Sequence, residues 1–131
     1  MSKTIHPNLS ITNTLKSKLP GLPFLKMKDV VLGKNYELSV VFASDAETRK
    51  LNCIYRGKNK PANVLAFPLS KNRGEVFLCP AEIKKYSGDF GRRGDKLTGF
   101  FLIHALVHLK GHRHGSTMEK TEARFRRAFG I

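Results

Sequence analysis

The segment that most constrains the fold is FFLIHALVHL, residues 100–109. It is apolar except at two histidines, and a helix that is apolar nearly all round is normally buried in a protein core. Gly111 follows closely and can adopt the left-handed conformation in which many helices end. We therefore expect a helix over Lys96–Lys110 at the centre of the core, with the other elements packed around it.

Three segments rich in β-branched and aromatic residues are predicted to be strands: YELSVVFA (36–43), VLAFPL (64–69) and EVFLCP (75–80). Only a short turn separates the second from the third, which favours an antiparallel hairpin. Pro68 lacks an amide hydrogen and therefore ends the second strand or places it at a sheet edge.

Further helices are predicted over 11–19, from 23 to just before Gly33, from 44 to just before Gly57, from 80 to about 86, and from 116 onward. Two of them begin with the capping-box pattern S-x-x-E, formed by Ser44 with Glu47 and by Ser116 with Glu119. Three apolar residues of the helix after Ser44 are expected to face the core: Leu51, Ile54 and Tyr55. Residues 1–10 look irregular. The order of elements predicts one α+β domain over residues 1–131, with helices packed on a small mixed sheet.

The charge of the chain is strongly unbalanced. It has 24 Lys and Arg against 10 Asp and Glu, a formal net charge of +14 and a pI near 10.2. Domains this basic commonly bind nucleic acid or another anionic surface. The alternative is that the positive charge only makes the surface soluble and does not serve a particular partner.

No segment approaches the roughly 20 apolar residues that span a bilayer, and the first residues lack the apolar core of a signal peptide. We therefore expect a cytoplasmic protein with no membrane partner. Cys53 and Cys79 lie in apolar surroundings and are expected to be reduced and buried. A structural zinc ribbon is excluded, since it needs four clustered ligands.

Four of the five histidines fall within residues 104–114. His104 and His108 are one helical turn apart, the spacing at which two imidazoles share a metal ion. The turn at Gly111 would let His114 supply a third nitrogen, and three imidazoles with an open position are typical of catalytic zinc. His112 is expected to be a bystander, although it could take the place of His114. In the alternative interpretation, His104 and His108 are core histidines bonded to the backbone, and the last two are surface cations near a helix end.

The substrate class can be narrowed from the same segment. Zinc proteases with the HExxH motif carry a glutamate next to the first histidine as general base, and that position is Ala105 here. The missing carboxylate argues against proteolysis, and the positive charge favours an anionic phosphodiester. The glycine-rich SGDFGRRG (87–94) lacks the nucleotide-binding patterns and is predicted to be a surface loop whose arginines contact a polyanion.

The segment HALVHLKGHRH (104–114) resembles the H-G-x-L-H-L-x-G-x-D-H signature of the YbeY family of bacterial metal-dependent endoribonucleases. LNCIYRGKNKPANVLAFPL (51–69) is similar to the family's LNxxYRGKDxPTDVLSFP stretch, and GEVFLCP (74–80) to its GDIxIxP strand. The three motifs occur in the family's order, and the similarity covers about residues 36–116. The first 35 residues and the last 15 match weakly.

The resemblance implies a sheet of about four strands surrounded by helices, with the metal site on the central helix and the loop after it. It implies one Zn²⁺ held by His104, His108 and His114. It also implies a basic cleft to which Arg56 contributes, and a fixed, always-charged guanidinium suits a phosphate clamp. Asn63 occupies a matching motif position and is interpreted as loop structure.

Two positions depart from the family signature. Ala105 replaces a glycine, a mild change that favours the helix. Arg113 replaces an aspartate next to the last ligand, which is a charge reversal. If that aspartate orients a ligand or helps to activate water, then this chain does without it, or Glu119 or Asp89 substitutes. If it only shapes the loop, Arg113 adds a phosphate contact.

The resulting hypothesis is a zinc-dependent endoribonuclease that prefers single strands and acts in 16S rRNA 3′-end maturation and ribosome quality control. Its expected partners are rRNA and the small ribosomal subunit, with neither DNA nor membrane. The catalytic residues are Arg56, His104, His108 and His114. One competing function is a non-catalytic rRNA- or ribosome-binding factor that keeps the metal for stability; another is a metallohydrolase acting on a substrate such as a peptide.

Overall fold

The computed structural model describes residues 2–111 and 115–131. His112, Arg113 and His114 lie outside the described residues, so the predictions made for them stay predictions. The elements, in chain order, are β1 (Ser2–His6), β2 (Leu9–Asn13), α1 (Phe24–Leu32), β3 (Glu37–Phe42), α2 (Asp45–Arg56), β4 (Val64–Ser70), β5 (Arg73–Leu78), α3 (Pro80–Lys84), α4 (Gly94–Leu109) and α5 (Ser116–Phe129).

The described strands form one mixed sheet in the order β1-β2-β3-β5-β4. The β1–β2 and β4–β5 pairs are antiparallel, and β2–β3 and β3–β5 are parallel. This confirms the α+β class and the hairpin predicted for the second and third strands. Pro68 lies in β4, at the edge of the sheet, where the pairing with β5 also shifts register between Pro68 and Ser70.

Helix α4 lies at the centre of the core, as its composition predicts. It packs against β4, β5, α1, α3 and α5. Leu102, Ile103, Leu106 and Val107 are at most 1% exposed. They belong to the same buried apolar cluster as alternate side chains of the sheet, which include Val40, Val76 and Leu78.

The N-terminal prediction is wrong. Residues 11–19 do not form a helix, and residues 1–10 are not irregular where they are described. Instead, β2 covers Leu9–Asn13 and pairs with β3, while β1 adds a hairpin strand outside it. The physical reason is visible in LSITN, whose alternate residues are buried as in a strand with one face on the core. The sheet therefore has five strands instead of about four.

Helix α2 begins as predicted but does not bury the expected residues. Ser44 is its N-cap, and Ser44 and Glu47 form the reciprocal capping box. Ile54 and Tyr55, however, are 62% and 66% exposed, and Leu51 is only partly buried. The buried residues are polar ones, Thr48 and Asn52, because this side of the helix holds the loop that follows it.

Two smaller predictions also need correction. The N-cap of α5 is Gly115, with no side-chain cap, so Ser116 does not open a capping box. Cys53 is exposed, whereas Cys79 is buried, and both are free thiols. Among the described residues, no helix has both the length and the apolar character needed to cross a bilayer.

Candidate active site

One stripe of helix α4 reaches the surface, and it carries both helical histidines. Every residue from Phe101 to Leu109 is buried except His104 and His108, which are partly exposed. Phe100, one turn before His104, is also partly exposed. Residues four apart share a helix face, so these three side chains form a row, hereafter the α4 stripe, against an otherwise buried helix.

Arg56 and the two histidines line one cavity of about 170 Å³ at the start of β4. Asn63, Val64 and Ala66 complete much of its wall. Arg56 is the last residue of α2, and the left-handed Gly57 (φ 68°) ends the helix directly after it. The structure therefore brings together three of the four site residues predicted from the sequence; the fourth, His114, lies outside the described residues.

The loop between α2 and β4 is fixed by side chains of α2. Asn52 donates from Nδ2 to the Lys60 carbonyl (2.9 Å), and Thr48 Oγ1 accepts from the Ala62 amide (3.3 Å). Asn63 then accepts from the Val64 amide through Oδ1 and from the Cys79 amide through its carbonyl. These bonds position both ends of the loop, and with them the wall of the cavity opposite the α4 stripe.

A carboxylate of α5 contacts the first histidine. Glu122 Oε1 lies 2.9 Å from His104 Nδ1, and the glutamate side chain is only 9% exposed. Arg126 Nη1 lies 4.0 Å from the same oxygen. A buried carboxylate bonded to one ring nitrogen fixes the orientation of the ring and favours a defined tautomer.

A larger cavity of about 440 Å³ lies on the other side of His104, lined by Asn63, Phe90, Phe100, Phe101, His104, Gly115, Met118, Glu119, Glu122 and Arg126. It shares His104 and Asn63 with the smaller cavity. Burial lowers the pKa of the Arg126 guanidinium, nearby Arg92 lowers it further, and Glu122 opposes the change. A negative charge placed beside this guanidinium would stabilise its protonated form.

A third cavity, of about 240 Å³, extends from Arg56 along the loop after α2 and is basic. Arg56, Lys58 and Lys60 line it and are exposed. Asn63 also lines this cavity, and so it borders all three. The three cavities border one another through these shared residues, and together they are called the α4 cleft hereafter.

The donor set of the cleft fits an imidazole-bound metal in part. Within residues 2–111 and 115–131, no group of three or more His, Cys, Asp or Glu side chains is placed to hold a metal ion. Two imidazoles do line one cavity, and the His104–Glu122 contact has the form that carboxylates take behind metal-binding histidines. A site with three protein ligands would therefore need a third ligand from outside the described residues, and the sequence predicts His114 for that place.

Sequence reasoning did not identify Glu122, Phe90, Phe100 or Asn63 as site residues. Asn63 occupies a motif position but was interpreted as loop structure. Of the two carboxylates expected to replace the missing aspartate, Glu119 lines the larger cavity, whereas Asp89 is not among the residues that line it. Glu122 follows His104 by 18 residues on another helix, so no local spacing pattern indicates it.

Comparison with known proteins gives a consistent result. The family model described as "Endoribonuclease YbeY" matches residues 11–128. The protein called endoribonuclease YbeY from Ehrlichia ruminantium (strain Gardel) is 34% identical over 113 residues, which cover 82% of this chain and 68% of that protein. The protein of the same name from Bdellovibrio bacteriovorus is 34% identical over 111 residues, covering 82% and 71%.

The fold also matches a solved structure. The solution structure of TM1509 from Thermotoga maritima superimposes with a TM-score of 0.62 at 25% sequence identity. The match covers 92% of this chain and 89% of that one. The arrangement of helices on the five-stranded sheet is therefore shared with that protein.

Proposed function

The chain belongs to the YbeY endoribonuclease family, and from this membership we propose that it is a zinc-dependent endoribonuclease that cleaves single-stranded RNA. We further propose that it acts in 16S rRNA 3′-end maturation and ribosome quality control, on the small ribosomal subunit in the cytoplasm. The proposal takes the active-site residues to be Arg56, His104, His108 and His114.

The observation that carries the proposal is the cavity that Arg56 shares with the two histidines. Arg56 and the histidines come from helices far apart in the chain, and they meet where β4 begins. A guanidinium next to two imidazoles is suited to a phosphodiester, because the guanidinium binds phosphate oxygens in a fixed geometry. The basic residues Lys58 and Lys60 continue this charge along the cleft.

Each residue has a distinct role in the proposed reaction. His104, His108 and His114 would hold the Zn²⁺, which would supply Lewis-acid polarisation of the phosphoryl oxygen and would lower the pKa of a nucleophilic water or of the 2′-hydroxyl. Glu122 holds the His104 ring in position through Nδ1. Arg56 stabilises the negative charge that develops on the phosphate in the transition state. Single strands are preferred because an unpaired backbone can bend into a cleft that a duplex cannot enter.

The proposal is tested by metal analysis and RNA cleavage on the same preparations. We expect the wild-type protein to retain about one equivalent of zinc and to cleave an unstructured RNA faster than the same sequence annealed to its complement. His108→Ala should lose both properties. Arg56→Ala should keep the metal and lose most of the cleavage.

The matched control is His6→Ala, which removes the one histidine on the distant strand β1. It should leave metal content and cleavage unchanged. The proposal is wrong if wild-type protein holds no stoichiometric metal, or if His108→Ala retains both the metal and the activity.

A second candidate is a metal-stabilised RNA-binding factor without catalysis, which Arg113 favours. Arg113 stands where the family signature has an aspartate, so the charge at this position is reversed. This candidate predicts salt-sensitive RNA binding without cleavage, and a large loss of stability on chelation. Arg113→Asp separates the two: a gain of cleavage with unchanged RNA binding would show that the wild-type chain lacks a catalytic group.

A further inference from the structure

The larger cavity of the α4 cleft contains an aromatic cluster that the proposed chemistry does not use. Phe90 of the glycine-rich loop stacks on Phe100, with ring centroids 4.8 Å apart and planes inclined by 22°. Phe101 meets both rings edge to face, at 5.9 Å from Phe90 and 5.4 Å from Phe100. Tyr86 packs against Phe101 at 5.7 Å. These ring contacts hold the side chains in a defined arrangement, so the cluster is a preorganised surface.

Phe90 lines the cavity and is exposed to solvent. Phe100 covers one of its faces, yet Phe90 remains 47% exposed. Large aromatic side chains are usually well buried in a core, and an exposed one that lines a cavity indicates a binding surface. Flat rings of this kind bind other flat rings, since offset stacking combines apolar contact with favourable quadrupole geometry.

Two guanidinium groups accompany the rings. Arg92 and Arg126 lie over Phe100, at 4.9 and 5.1 Å from the ring centroid. Arg92 also donates to the carbonyls of Phe90 (2.6 Å) and Ile131 (3.1 Å), which hold it in place. Two like charges so close together repel each other, and a bound anion would relieve that repulsion. Of the two, Arg126 lines the cavity itself, so the cavity combines aromatic rings with one guanidinium, and single-stranded nucleic acid is bound by aromatic stacking together with positive charge.

The position of the cavity relates it to the proposed cleavage site. Phe100 is one helical turn from His104, and His104 lines both cavities. A strand whose phosphate lies between Arg56 and the histidines would thus have a neighbouring nucleotide beside Phe90. The apolar wall of Met118 and Phe101 suits the body of a base, and the carboxylate of Glu119 at the same cavity suits its amino or imino hydrogens.

We propose that the cavity between Phe90, Phe100 and Arg126 is a base-binding pocket, which takes one unpaired base of the RNA next to the cleaved phosphate. The inference rests on the proposed function for the identity of the strand, but it concerns recognition and not chemistry. It gives a role to the phenylalanine that the glycine-rich loop carries two residues before Arg92. Stacking on Phe90 selects unpaired bases, because a base within a duplex cannot leave its own stack without a cost.

The test uses binding and not cleavage as its readout. A fluorescein-labelled 2′-O-methyl oligonucleotide of about ten nucleotides is titrated with the zinc-loaded protein, and its integrity is checked afterwards on a gel. A series of such strands carries a single abasic site at successive positions. For wild-type protein we expect one position, or two adjacent ones, at which the missing base weakens binding about tenfold, the loss typical of one stacked base.

Variants assign that loss to Phe90. Phe90→Leu keeps an apolar side chain without the ring, and it should weaken binding of the intact strand about tenfold and abolish the dependence on abasic position. Phe90→Tyr keeps the ring and should restore both. Tyr55→Leu is the matched control, because Tyr55 is an exposed aromatic residue that packs at a tilt against Phe67, outside the larger cavity. It should preserve the positional dependence.

The outcomes separate this inference from the proposed function. Wild-type binding that ignores the position of the abasic site overturns the pocket, even if the protein cleaves RNA, and so does a Phe90→Leu protein that keeps the positional loss. The second result would indicate that the aromatic cluster binds an apolar surface of a protein partner and not a base. Conversely, a wild-type protein that shows the positional loss without cleaving RNA supports the pocket and refutes the endoribonuclease. The wild-type scan decides the matter even if Phe90→Leu fails to fold.

Discussion

The contact between Glu122 and His104 is the most specific side-chain interaction in the α4 cleft. The carboxylate is almost entirely buried, and its oxygen lies 2.9 Å from the ring nitrogen. A metal-binding imidazole held in this way loses less orientational freedom when the metal binds. Partners of this kind commonly contribute 10- to 100-fold to metal affinity or to activity.

Glu122→Gln should therefore weaken zinc binding by roughly 10-fold or more, measured by competition with a chromogenic chelator. The neutral amide accepts a weaker hydrogen bond than the carboxylate and no longer favours one tautomer. Glu37→Gln is the control, because Glu37 is an exposed carboxylate that lines none of the three cavities of the cleft. Equal affinities in both variants would contradict the assigned role of Glu122.

The two cysteines should differ sharply in reactivity. Burial, together with the hydrogen bond that the thiol donates to Asp45 (3.1 Å), raises the pKa of the Cys79 thiol to about 11. Because the thiolate is the nucleophile, a raised pKa means that almost no reactive form exists at pH 8. Cys53 is exposed. We expect iodoacetamide to alkylate Cys53 in the native protein and Cys79 only after denaturation, as followed by peptide mass spectrometry; rapid native labelling of Cys79 would contradict this.

At the residue scale, what could be predicted depended on distance along the chain. The pair His104 and His108 was visible because four residues make one helical turn. Glu122 and Phe90 were not, because their relation to His104 arises from the packing of α5 and of the glycine-rich loop against α4. The exposure of Cys53 could not be predicted from its sequence neighbours, because the apolar residues Ile54 and Leu51 are themselves not fully buried in the fold.

Among the elements, α2 supplies Arg56 and anchors the loop that walls the cleft. Its beginning depends on the capping box of Ser44 and Glu47. Capping side chains satisfy amide hydrogens that have no partner within the helix. The cap therefore contributes to the stability of the element that positions the proposed phosphate clamp.

Ser44→Ala should lower the free energy of unfolding by about 1 kcal/mol, measured by urea denaturation. The sequence contains its own control, since Ser116 stands in the same S-x-x-E pattern but is the first residue of α5 and makes no cap bond. Ser116→Ala should change stability by only a few tenths of a kcal/mol. Equal losses in the two variants would mean that the Ser44 bonds do not stabilise α2.

The elements were predictable where one pattern dominated. Strong apolar character identified α4, and β-branched residues identified β3, β4 and β5. The segment LSITN was ambiguous, because a few alternating residues fit a short helix with polar breaks as well as a strand. In the fold the segment is a strand, because it pairs in parallel with β3 from Leu9 with Leu38 to Asn13 with Phe42. This pairing involves residues far away in the sequence, so the segment alone does not reveal it.

For the molecule as a whole, the net charge of +14 predicts salt-dependent RNA binding, and the fold predicts which cations matter. The double variant Lys58→Gln, Lys60→Gln removes two exposed lysines from the cleft. It should flatten the plot of log affinity against log salt concentration by about 0.7 for each lysine that contacts a phosphate. Filter binding or anisotropy over a salt series measures this slope.

The charge-matched control is Lys16→Gln, Lys26→Gln, which removes two exposed lysines that line none of the three cavities of the cleft. It lowers the net charge by the same amount and should leave the slope nearly unchanged. Identical slopes for the two double variants would mean that RNA responds to overall charge and not to the cleft.

The fold class followed from the order of helices and strands together with the family motifs. The assembly of the cleft did not, because it depends on how α2 and α4 meet at the start of β4. The motif at residues 51–69 and the motif at residues 104–114 are far apart in sequence, yet they supply Arg56 and the histidines to one cavity. The extra N-terminal hairpin lay outside those motifs, in the part of the chain where the resemblance was weak.

The strand that borders the cavity is also an outer strand of the sheet. Unpaired backbone on such a strand is a template for aggregation, since another chain can add to it. In β4 the template is interrupted by Pro68, which has no amide hydrogen to offer, and by the shift of register that follows it. The proline therefore discourages intermolecular strand addition beside Val64 and Ala66, and in a crowded solution it helps to keep the mouth of the cavity accessible to a long polymer.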